Sequence, residues 1–64
     1  MYVHIVLRKD KHGNVTVFED VFEEYEHARR TIENLPDSPI PITSKMFSSK
    51  DFCYVIFTAH VFES

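Results

Sequence analysis

The run Phe52-Cys-Tyr-Val-Ile-Phe-Thr-Ala-His-Val-Phe62 contains no charged residue, no proline and no glycine. Its β-branched and aromatic content predicts a strand. Strand alternation would put Cys53, Val55, Phe57, Ala59 and Val61 on one side and Phe52, Tyr54, Ile56, Thr58, His60 and Phe62 on the other. Both sides are apolar. A domain with a single helix can cover only one of them, so the other needs a partner.

Size sharpens that requirement. Sixty-four residues make one domain, residues 1–64, and a chain this short buries only about 60% of the surface its unfolded form exposes. Ordering it costs on the order of 100 kcal/mol, close to its whole hydrophobic gain. Small domains escape that balance through disulfides, metals or association. Cys53 is the only cysteine, so no internal disulfide forms. Its place on an apolar strand marks it as a packed thiol rather than a nucleophile, for no cationic neighbour in sequence would lower its pKa. Association is the stabiliser that remains.

The formal charge of −3 argues against general nucleic-acid affinity, which rests on neutralising phosphates. No segment approaches the ~18 apolar residues of a membrane span. The N-terminal Met1–Leu7 stretch lacks a signal-peptide pattern, its basic residues following the apolar ones. A cytoplasmic protein with no membrane contact is the expectation. Asn14-Val15-Thr16 has the glycosylation pattern, and without secretion reads as a turn asparagine before a strand threonine.

Along the chain, Val3, Ile5 and Leu7 alternate with Tyr2, His4, Val6 and Arg8, the mark of a strand. Asp10–Asn14 contains the only glycine, the residue suited to positive φ in a tight connection. Val15–Phe18 resumes the strand pattern, which completes a β-hairpin. A helix is predicted next. Asp20 is placed as N-cap with Glu23 closing a capping box. Val21, Tyr25, Ala28, Ile32 and Leu35 form a stripe at +4, +3, +4 and +3. Acids in the first turns and Arg29 and Arg30 later suit the helix dipole, and Pro36 ends the helix. Ile42–Phe47 is a candidate short strand before the terminal one. The expected fold class is α+β: a small, mostly antiparallel sheet of three or four strands (ββαβ or ββαββ) with one helix packed on one face.

With the helix assigned to the Val3, Ile5 and Leu7 side, the residues Tyr2, Val6, Tyr54, Ile56 and Phe62 become the predicted self-association surface, with Phe18 beside them. A contiguous apolar patch of that kind marks an interface. Symmetric self-association is the commonest outcome, so a homodimer is expected. Glu19, Asp20, Glu23, Glu24 and Glu26 form an acidic cluster. It reads either as a solvated helix start or as a surface for a basic protein partner.

Other constellations are weaker. Glu24-Tyr-Glu-His27 has di-iron spacing, but such sites draw ligands from several helices. His4 and His60 could approach each other if the first and last strands pair, yet no third or fourth metal ligand is evident. No metal and no cofactor is expected. One glycine excludes glycine-rich phosphate loops, and no serine or cysteine has a recognisable base, so a non-enzyme is expected.

Two functional readings result. The first is an acidic interaction module, homodimeric, that binds and modulates or inhibits another macromolecule, in the manner of a phage or mobile-element inhibitor of a host protein. The second is a single-strand nucleic-acid binder stacking bases on Tyr2 and Tyr54, with Arg8, Lys9 and Lys11 on phosphates and Lys45 and Lys50 nearby.

Overall fold

The chain forms β1 (Tyr2–Asp10), β2 (Val15–Phe22), α1 (Tyr25–Glu33), β3 (Ile40–Thr43), β4 (Met46–Ser48) and β5 (Phe52–His60). This computed structural model describes residues 1–62, and of Glu19 and Asp20 it describes the backbone alone. The strands make one antiparallel sheet in the order β2-β1-β5-β4-β3.

The β1–β2 connection is built around Asp10. Its carboxylate accepts the backbone N–H groups of His12 (2.8 Å) and Asn14 (3.0 Å) and the Asn14 side-chain amide (3.2 Å). Gly13 takes φ +86°, where a side chain is strained. These donors, the Asn14 backbone N–H first, hold the Asp10 carboxyl below its usual range despite an opposing desolvation effect.

β1 then pairs along its whole length with β5, from Tyr2 opposite His60 to Asp10 opposite Phe52. The two longest apolar segments therefore lie side by side at the sheet centre. On β2 the ladder is interrupted: Val6 faces Phe18 and His4 faces Phe22, so Ile5 alone lies opposite the three residues between them. Two extra residues leave the side-chain parity unchanged, which keeps Phe18 and Phe22 on one face.

The helix begins later than the capping signal implies. Its N-cap is Glu24 (φ −117°, ψ 132°), which makes no side-chain capping bond, and Asp20 and Val21 belong to β2. The strand continues because Phe22 pairs with His4 and packs against the core, and tertiary burial outweighs about 1 kcal/mol of capping. The helical stripe is thus Tyr25, Ala28 and Ile32, with Ala28 and Ile32 fully buried, and Leu35 packs beside it from just beyond the helix end at Glu33. At the C-terminus the N–H of Asn34 reaches the Arg30 carbonyl (3.0 Å) and that of Leu35 the Ile32 carbonyl (3.1 Å). Leu35 precedes Pro36, a position that disfavours helical geometry.

The sheet has five strands rather than three or four. The segment read as one short strand folds back on itself at Ser44 and Lys45, producing β3 and β4. The Thr43 hydroxyl accepts the Lys45 N–H (3.2 Å), and the Tyr25 hydroxyl donates to the Ser44 carbonyl, fastening the turn to the start of the helix.

The core corrects the assignment of faces. Val6, Tyr54 and Ile56 are 0%, 2% and 1% exposed and pack with Phe47, Ala28 and Ile32. Phe18, Phe22, Tyr25, Leu35 and Phe52 surround them. The helix therefore covers the side carrying Val6, Tyr54 and Ile56, not the side carrying Val3, Ile5 and Leu7. The reason is volume. Phe18, Phe22, Phe47, Phe52 and Tyr54 all sit on that side, and their large rings need the helix to remove them from water. The opposite side is mainly aliphatic.

Candidate functional site

Strand register aligns the uncovered side chains into rows. Val17, Leu7, Val55 and Met46 lie in one row across β2, β1, β5 and β4. Below it Ile5 faces Phe57 and Val3 faces Ala59; above it Val15, Lys9, Cys53 and Ser48 line up. Neither the helix nor a loop packs on this face among the described residues. Phe57 is 54% exposed and Val17 64%. Lys9, at the hairpin end, is its only charged side chain among those described.

Strands ~4.8 Å apart with a rise of ~3.3 Å per residue give this patch a footprint of about 15 by 20 Å, on the order of 300 Å². That is the size of the largest apolar patch on a typical monomer, and such patches are often functional. The free thiol of Cys53 is partly covered within it.

The predicted self-association residues separate into two groups. Val6, Tyr54 and Ile56 are core residues and unavailable to a partner. Tyr2 and Phe62 are exposed (63% and 84%) at the sheet's far end. His60 joins them, its ring 4.9 Å from Tyr2 and 4.6 Å edge-on from Phe62. The side chains that instead form the open face, Leu7, Val17, Val55 and Phe57, lay in the same alternation. Nothing in the pattern said which half the helix would take.

Of the acidic cluster, Glu19 and Asp20 have side chains outside the described ones. Glu23, Glu24 and Glu26 are exposed around the β2–α1 junction. Glu24 lies 3.4 Å from His27, and Glu26 binds Arg29 at 2.6 Å while Arg29 also reaches Glu33 at 3.0 Å. The Arg29 hydrogen bond holds the Glu26 carboxyl below its usual range. Two of these pairs have i,i+3 spacing and Arg29–Glu33 has i,i+4 spacing, so they bind together the exposed face of one helix. Glu26 is thus already charge-compensated, leaving Glu23 and Glu24 as the acids most open to a basic surface.

A second polar cluster had no sequence signal. The Tyr54 hydroxyl donates to Asp37 (3.0 Å). Ser49 and Tyr54, with the nearby charge of Arg8, hold the Asp37 carboxyl low. Burial, then Asp37 itself, pushes the Tyr54 phenol up. The Arg8 guanidinium lies 4.8 Å from the Phe18 ring centre and 4.6 Å from that of Phe52, so cation–π contacts hold it against the fold. Base stacking on Tyr54 loses its residue here, because that ring is 2% exposed.

His4 bonds to Thr58 (3.0 Å) and stands opposite it, while His60 stands opposite Tyr2, so the two histidines do not meet. No group of three or more metal-binding side chains occurs among the described residues. An open groove beside β3 and β4 is lined by Asp37, Ile40, Ile42, Ser48, Ser49 and Lys50, its carboxylate already engaged by Tyr54. No described helix is long and apolar enough to cross a membrane. Compared with known proteins, the chain matches no family model, and neither a curated protein nor a solved structure is significantly similar to it.

Proposed function

We propose that this chain is a protein–protein interaction module that self-associates through its helix-free sheet face and, in that form, binds and modulates another protein in the cytoplasm. The observation that carries the proposal is the uncovered row Val17–Leu7–Val55–Met46 with Phe57 beneath it. Two copies facing each other would remove on the order of 600 Å² of apolar surface, about 15 kcal/mol at ~25 cal/mol per Å². Lost translational and rotational freedom opposes this by ~4–15 kcal/mol, so a weak, concentration-dependent dimer results. Glu23 and Glu24 give the acidic chain its approach to a basic partner, whose encounter they accelerate. An inhibitor or regulator fits this design.

Sedimentation velocity across the micromolar range tests it. The wild type should gain mass with concentration, and Phe57→Arg, which buries nothing new in the monomer, should gain markedly less with unchanged circular dichroism. A wild type that remains single throughout, or a variant that associates equally well, rejects the face as the contact.

A further inference from the structure

The strand β4 accompanies only half of β5. Their pairing runs from Ser48 opposite Cys53 to Met46 opposite Val55, and the last bond on that edge is Ile56 N–H to the Lys45 carbonyl (2.8 Å). Beyond it, Phe57 to His60 pair with β1 on one edge and with no described strand on the other. The bond from Val61 N–H to the Met1 carbonyl (2.8 Å) places the odd-numbered peptide groups toward β1. By alternation Thr58 and His60 then direct both N–H and C=O into the vacant edge. Unpaired edges are usually blunted by a bulge, a proline or charge. The sheet's outer edges show this, with the interrupted ladder on β2 and Pro41 in β3, but Phe57–His60 contains none of these devices.

We infer that this half-edge of β5 is a second contact, distinct from the sheet face, and that its occupant is the same segment of another copy, paired antiparallel. The slot is self-complementary. A two-fold axis at Ala59 sets Thr58 of each copy opposite His60 of the other, so four N–H···O=C bonds form across it. Each copy's Ser44–Lys45 turn closes one end of the slot, near the other's Phe62, and the two β3–β4 hairpins fall at opposite ends without colliding. A parallel strand or a longer partner strand would run into that turn. Phe57 then lies opposite Val61 of the other copy, and both are exposed in the single chain. The two apolar faces become one continuous surface. The face alone buries less than the ~1,200 Å² of a stable interface, and doubling its width through the edge removes that shortfall.

Substituting His60→Pro tests the contact. Proline removes an N–H that makes no bond within the described chain and fills the slot with its ring, a change edge strands tolerate. At equal concentration the variant should show no more than half the wild-type mass, whether the face adds a further doubling or not, and His60→Thr, which keeps the N–H, should match the wild type. Independently of any variant, amide exchange at Thr58 in the wild type should slow at least tenfold from dilute to concentrated solution. A Thr58 amide that exchanges equally fast at both concentrations, or a His60→Pro mass equal to wild type, overturns the edge. Loss of association in Phe57→Arg with Thr58 exchange unaffected by concentration leaves the face reading standing and removes this one.

Discussion

Ile56 and Ile5 sit near the middle of adjacent strands, on opposite faces of the same sheet, and the same one-methylene deletion at each asks which face the helix covers. Ile56 is 1% exposed and packs in the core cluster. There Ile56→Val should cost about 1 kcal/mol, within the ~0.5–1.5 kcal/mol typical of buried sites. At ~0.05–0.15 kcal/mol per residue a domain of this length is stable by about 3–10 kcal/mol, so the loss is a sizeable fraction. It corresponds to about 4–8 °C in Tm. Ile5 is only partly covered and belongs to the open face, so Ile5→Val removes a methyl group that already borders water and should cost under about 0.5 kcal/mol. Urea unfolding at low micromolar concentration, where association adds no stability, should lower the Ile56→Val midpoint at an unchanged m-value. An equal or larger loss for Ile5→Val would mean that the helix lies on the other face, and the assignment of core and open surface would fail.

Three further outcomes follow from the polar groups and the hairpin. Tyr54→Phe should lose about 1 kcal/mol, below the ~1.5–3 kcal/mol of a bond to a charged acceptor, because the Asp37 carboxylate is exposed to water; a double-mutant cycle with Asp37→Asn should show that the two losses do not add. The Asp37 carboxyl is held low when folded, so its contribution is present above the unfolded carboxylate range near pH ~4 and disappears as pH falls through the lower folded value. The Tyr54→Phe deficit should shrink there, and a deficit constant down to pH 2 would argue against the pairing. The Tyr54 phenol is held high, so its share of stability is intact below pH ~10 and is lost as pH rises through the folded value; in alkaline denaturation Tyr54→Phe should lose less than the wild type. At the hairpin, Gly13→Ala should cost about 1 kcal/mol from backbone strain alone, because an added Cβ meets nothing within 4 Å, and Gly13→Asn should cost less; equal midpoints for all three proteins would refute the positive-φ argument.

Local chemistry was legible where one signal acted alone. Asp10 to Asn14 read as a tight turn and is one, because its bonds are all within five residues. Of the predicted stripe Val21, Tyr25, Ala28, Ile32 and Leu35, the middle three lie on the helix and pack together, while Val21 belongs to β2 and Leu35 follows the helix end. The helix start did not read correctly, since Asp20 and Glu23 resemble a capping box and only the pairing of Phe22 with distant His4 extends β2 through them. The turn at Ser44 and Lys45 splits the predicted single strand into two, held by a Tyr25 bond that no local pattern encodes. The Arg8–Phe18–Phe52 stack joins three segments and the Tyr54–Asp37 bond two, so nothing in any one segment announces them.

The alternation of the amino acids alone determined that β1 and β5 would be strands, β5 greasy on both sides, and that a single helix would leave one side bare. Which side stayed bare was decided only by tertiary packing. Two apolar faces are equivalent to a period-two pattern, and the tie is broken by volume: rings contributed by β2, β4 and β5 converge on one side, where a helix with small Ala28 at its centre can close over them. The same packing stopped β4 halfway along β5. An edge left open that way is a property of the assembled sheet, invisible in either strand by itself.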